Sequence, residues 1–80
     1  MKILKFGAEW CAPCRAMEKL LGEMQLPYTV TSIDVDKHPG QASDFAIRSL
    51  PTLVLITLDG KEQGRLVGAK TKADIVEWLS

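Results

Sequence analysis

Histidine is almost missing from this 80-residue chain, which has one, His38, and cysteine occurs only twice, at Cys11 and Cys14. A structural zinc site asks for four Cys or His ligands. One chain alone therefore falls short, unless a carboxylate joins or two chains share the metal. Structural zinc pairs also usually come twice. Net charge is missing as well, because ten Lys and Arg balance ten Asp and Glu. A nucleic-acid binder needs a basic patch to displace counterions, so that class is excluded. The charges alternate in sign, and no polybasic run addresses a lipid surface. No apolar run approaches the roughly 20 residues of a membrane span. The opening MKILKFGAEW is too short for the apolar region of a secretory leader, and Lys5 breaks it. A cytoplasmic location is the expectation. In that reducing compartment a cysteine pair is more often catalytic or metal-binding than structural.

Apolar residues make up 46% of the chain, enough for a packed core. Repeats, low-complexity segments and linkers are absent, so residues 1–80 are expected to form one domain. KILKF (2–6) suits a short strand. Pro13 suits the first turn of a helix starting near Cys11 or Ala12, where its missing N–H is no loss. Met17, Leu20, Leu21 and Met24 then recur at helical spacing, with Arg15, Glu18, Lys19 and Glu23 on the other side. YTVTSIDV (28–35) is rich in β-branched residues and suits a strand. Residues 41–48 suit a short helix burying Ala42, Phe45 and Ala46. LPTLVLITL is a nearly continuous apolar run, as in a central strand buried on both faces. Asp59-Gly60 signals a hairpin to a return strand over 61–67. A last helix follows, with Thr71 as N-cap, Asp74 in the capping-box position and Ile75, Trp78 and Leu79 on its inner face. The order β-α-β-α-β-β-α predicts an α/β fold with a mixed four-stranded sheet flanked by helices.

Three chemistries suit two cysteines in C-x-x-C. Metal binding lacks ligands, as above. A structural disulfide closing about four residues contributes only roughly 2 kcal/mol. A reactive pair fits the local physics better. Cys11 stands at a helix start, where free N–H groups and the helix dipole favour an anion. A thiol there ionises more readily than a free one. Cys14 is one turn further on the same side, and Pro13 stiffens the turn between them.

The runs AEWCAPC (8–14), DVDKHPG (34–40), IRSLPTL (47–53) and LDGKEQGRLVGA (58–69), with a terminal helix ending EWL, resemble the thioredoxin superfamily. The chain is similar to a small, glutaredoxin-sized member with a WCAPC active site, lacking the extra N-terminal strand and helix. The resemblance implies a protein-disulfide reductase in which Cys11 is an exposed nucleophile and Cys14 resolves the mixed disulfide. It implies that Pro51 is the family's cis-proline and that Trp10, Ala12, Pro13, Leu50, Gly68 and Ala69 line a substrate-docking groove. The implied partners are disulfide-containing proteins and a thioredoxin-type reductase, acting on a monomer with no metal or organic cofactor. The alternatives are a glutaredoxin-like protein, glutathione-dependent or carrying an iron–sulfur cluster, and a redox-inactive interaction module. GAKTKAD replaces the glutathione-holding segment of glutaredoxins, which disfavours the first of these.

Two departures from the resemblance stand out. Ala12 replaces the usual Gly between the first Cys and Pro. Lys5 replaces a buried acid, and Ser32 stands where the family carries a lysine. Lys5 has two readings: its stem packs in the core while the ammonium reaches the surface or Asp34, or the ammonium lies beneath the cysteines and tunes their ionisation.

Overall fold

The computed structural model describes residues 1–80. The elements are β1 (Lys2–Gly7), α1 (Ala12–Glu23), β2 (Thr29–Asp34), α2 (Pro39–Asp44), β3 (Thr52–Ile56), β4 (Glu62–Val67) and α3 (Lys72–Leu79). The sheet order is β2-β1-β3-β4. β1 and β2 are parallel, joined through α1, whereas β3 is antiparallel to both β1 and β4. The chain thus forms the expected mixed four-stranded sheet.

Side chains alternate across the central strands and divide the core in two. Ile3 and Leu53 face α1 and α3, packing with Met17, Leu21 and Ile75. Leu4, Phe6, Val54 and Ile56 face α2 and its flanks, including Phe45 and Ile47. Phe6 and Ile3 are fully buried, each contributing about 1.5–3 kcal/mol. Period two places Lys5 on the α1 face with Ile3 and Gly7, beside Ser32 on β2 and Leu53 on β3.

Two local expectations are corrected. The second helix starts and stops early, at Pro39 and Asp44 rather than 41 and 48. Ala46 adopts a left-handed φ of 51°. Its N–H donates to the Ser43 carbonyl and the Ile47 N–H to the Ala42 carbonyl, both at 2.9 Å, which is a Schellman stop. The stop lets Phe45 meet Phe6, ring centroids 5.7 Å apart, and leaves Ala46 exposed rather than buried. The hairpin is also wider than its Asp-Gly pair suggests. The strands end at Ile56 and restart at Glu62, with the Thr57 hydroxyl donating to Asp59 and Gly60 at φ 90°. Trp78, on the inner face of α3, and Met24 are half-buried at the core margin.

Ion pairing and capping complete the frame. Arg65 forms a fork with Glu62 at 2.6–2.7 Å and donates to the Phe45 carbonyl at 2.7 Å, tying the end of α2 to β4. The Arg65 hydrogen bond holds the Glu62 carboxyl below its ordinary pKa. At α3, Thr71 and Asp74 form the predicted capping box. The Thr71 backbone N–H likewise holds Asp74 below the usual carboxylate range.

Two outcomes follow. Ala46→Gly, which removes the Cβ penalty of the left-handed conformation, is expected to stabilise the fold by about 1 kcal/mol in urea unfolding. Glu62 and Asp74 both have depressed folded pKa values, so their stabilisation is present above the unfolded pKa and is lost as pH falls through the folded one. The urea midpoint should therefore fall below about pH 4, and more shallowly in Glu62→Gln and Asp74→Asn than in the parent.

Candidate active site

α1 begins where β1 ends, and that junction builds the site. Cys11 is the N-cap of α1, in extended conformation, and its Sγ accepts the Cys14 N–H at 3.2 Å. A sulfur here takes the place of a Ser or Asp cap and satisfies one of the free helix donors. In the reduced state the same N–H and the helix dipole favour a thiolate on Cys11. Pro13 lies in the first turn, as the sequence predicts.

Cys11 and Cys14 form a disulfide, with Cα atoms 5.2 Å apart. Both are buried in this oxidised form, Cys11 6% and Cys14 3% exposed, in a small cluster with Ala8 against Val35 and Leu50. The expected exposed attacker is thus mostly covered while the disulfide is closed. Gly7 explains how Cys14 fits. A Cβ there would stand 3.2 Å from Cys14 Cβ and 3.4 Å from its Sγ. Glycine inside a strand marks this kind of close approach.

The outer rim gathers the other predicted residues. Trp10 is 70% exposed, with its indole Nε1–H donating to Asp36 at 2.8 Å. Ala12 and Pro13 are exposed beside it. The Leu50–Pro51 bond is cis, and Leu50 packs on the cysteine cluster. The Leu50 N–H and C=O take no part in the chain's backbone hydrogen bonding. Gly68, at φ 88°, donates its N–H to the Pro51 carbonyl at 2.8 Å, which brings Gly68-Ala69 to the Pro51 loop.

Behind Cys14 lies a cavity of about 360 Å³ that reaches the surface between α1 and β2. Lys5, Gly7, Cys14, Glu18 and Asp34 are among its lining residues. Lys5 is only 5% exposed. Its Nζ lies 3.6 Å from a Glu18 carboxylate oxygen, and the Glu18 side chain is 63% exposed. The ammonium is therefore paired with Glu18, not with Asp34. Asp34 accepts the Asp36 N–H instead.

Three contributors lay outside the sequence-based expectations. Glu18 is four residues after Cys14, so helical spacing could have placed it on the same face. Gly7 carried its own signal as a strand glycine. Asp36 reaches Trp10 across 26 residues, with no local signal.

Comparison with known proteins gives a consistent picture. The family profile described as Thioredoxin matches residues 1–80. A thioredoxin of Chlamydia muridarum is 41% identical over 98% of this chain and 78% of its own length. One from Mycobacterium bovis is 39% identical over 98% of this chain and 70% of its own. Among solved structures, a thioredoxin variant from Halobacterium salinarum superposes with a TM-score of 0.86 at 32% identity, over 96% of this chain and 69% of that one. The oxidised mitochondrial thioredoxin 3 of Saccharomyces cerevisiae gives 0.82 at 28% identity, over 96% and 74%.

The Gly7 contact sets a test. In Gly7→Ala the first turn of α1 must give by a few tenths of an ångström, an overpacking cost of about 1–3 kcal/mol. Urea unfolding of the oxidised variant should show it, whereas an unchanged midpoint would mean that the turn yields freely.

Proposed function

The chain belongs to the thioredoxin family and is a thiol–disulfide oxidoreductase that reduces protein disulfides, and from that premise we propose the role of each residue at its site. Cys11 is the nucleophile and Cys14 the resolving thiol. The observation that carries the assignment is the position of Cys11 Sγ at the α1 N-cap, where it accepts the Cys14 N–H. The Cys11 thiolate attacks one sulfur of a target disulfide, forming a mixed disulfide and releasing the other sulfur as a thiolate. Cys14 then attacks Cys11 Sγ. The Cys11–Cys14 bond forms, the mixed disulfide breaks, and the target leaves fully reduced.

Substrate docks on the rim made by Trp10, Ala12, Pro13, Leu50, Pro51, Gly68 and Ala69. The unused N–H and C=O of Leu50 support pairing with an extended substrate strand. Trp10 and Leu50 supply apolar area beside the sulfurs. The family implies disulfide substrates and a reductase partner. We place a thioredoxin-type reductase as the electron source, with the protein working as a cytoplasmic monomer. No helix is long and apolar enough to cross a membrane. The dithiol exchange uses no metal or organic cofactor. The relatives favour neither an iron–sulfur carrier nor a redox-inactive module.

The test is a trapping experiment. Cys14→Ser should accumulate mixed disulfides with target proteins through Cys11, released by dithiothreitol. Cys11→Ser should trap none and should lose insulin reduction altogether. Adducts formed only through Cys14 would reverse the two roles.

A further inference from the structure

Lys5 is the one buried charged side chain of the fold, and the exchange chemistry above makes no use of it. It stands two residues before Gly7 on β1, on the face against which Cys14 packs. It lines the same cavity as Cys14. A second, smaller cavity of about 190 Å³, lined by Leu21, Gly22, Val30 and Ser32, continues along the α1–β2 groove. Lys5 and Glu18 line both spaces, so their ion pair bridges the groove.

The other charges around the first cavity are weaker influences on Cys14. Glu9 and Arg15 are exposed, and Glu9 is paired with Lys37 at 3.5 Å. Asp34, on β2, is half-buried and accepts the Asp36 N–H at 2.8 Å. Solvent and salt screen exposed charges, whereas a charge withdrawn from water acts more strongly on its neighbours. Lys5 is withdrawn, and its counter-charge Glu18 is on the solvent side.

We propose that the Lys5–Glu18 pair is an electrostatic control on Cys14: Lys5 favours the Cys14 thiolate from behind, and Glu18 limits how strongly it does so. Lys5 acts as a positioning residue, through the ionisation of Cys14 and not by touching substrate. In the resolving step the Cys14 proton leaves to solvent through the cavity. The thiolate's electron pair forms the bond to Cys11 Sγ, and the target sulfur departs with the electrons of the broken bond. A cation behind Cys14 lowers the cost of that deprotonation. It also stabilises the reduced dithiol relative to the disulfide, which makes the disulfide the stronger oxidant.

The inference rests on Cys14 being the resolving thiol, and two measurements separate it from that assignment. The first is the equilibrium of the intact protein with reduced and oxidised glutathione, which does not depend on which cysteine attacks. Lys5→Met should shift the equilibrium about tenfold toward the disulfide, equal to about 30 mV in potential. Glu18→Gln, a change on an exposed side chain, should shift it the opposite way by a smaller factor. The second is the pH profile of Cys14 attack on a preformed Cys11 mixed disulfide, which should move to higher pH in Lys5→Met and to lower pH in Glu18→Gln. Loss of packing alone would lower the melting temperature without moving potential and pH profile in opposite directions in the two variants. The proposal is overturned if Lys5→Met leaves both unchanged, or if both variants shift the same way. If wild type itself fails to reduce insulin, the functional reading falls and this inference falls with it. If wild type reduces insulin but the variants keep its potential, only this inference fails.

Discussion

The site depends on one close contact, the backbone of Gly7 at the end of β1 against the side chain of Cys14 in the first turn of α1. That contact fixes how far the helix start sits from the sheet. With the start fixed, Cys11 becomes the cap of α1 and its sulfur comes within reach of the Cys14 N–H. The strand beneath is held on both sides, by β2 in parallel and β3 in antiparallel pairing. A rigid central strand therefore sets the geometry of a pair whose chemistry needs sulfurs at bonding distance and an anion-favouring helix end.

The same strand carries an opposing force. Ile3, Lys5 and Gly7 share one face, so a charged residue stands between a core residue and the cysteine seat. Withdrawing an ammonium from water is costly unless it finds a partner. Glu18 supplies the partner, and the open groove beside β2 keeps the pair in reach of solvent. Local packing is thus looser behind the cysteines than in the Ile3–Leu53 layer, where the side chains close completely.

Much of this was legible in the sequence because it rests on local signals. The Cys11–Pro13 helix start, the Thr71–Asp74 capping box and the central apolar strand of Thr52–Ile56 follow from residue type and spacing. The position of Pro51 followed from the resemblance of IRSLPTL, and its cis bond agrees. What was less legible depends on tertiary contacts. The early end of α2 follows from Phe45 reaching Phe6 and from Arg65 holding the Phe45 carbonyl. Neither partner is near in sequence, so helix periodicity alone overruns the boundary. The partner of Lys5 is hidden from the sequence for a similar reason. Glu18 reads as part of the solvated helix face until the crossing of α1 over β1 brings it to the ammonium. The covered state of Cys11 reflects Leu50 and Val35 folding over the disulfide, again a long-range effect.

The bond from Trp10 to Asp36 has a consequence for recognition. An exposed indole on a loop would ordinarily sample several rotamers, and a partner would have to freeze it on arrival. Here the ring nitrogen is already fastened to the segment after β2, and the aromatic face is left open beside the disulfide. Most of the ordering penalty for that side chain is met before any partner arrives. The open face of Trp10 is therefore a stiff apolar surface beside the disulfide, held in place by the fold and not by whatever it meets.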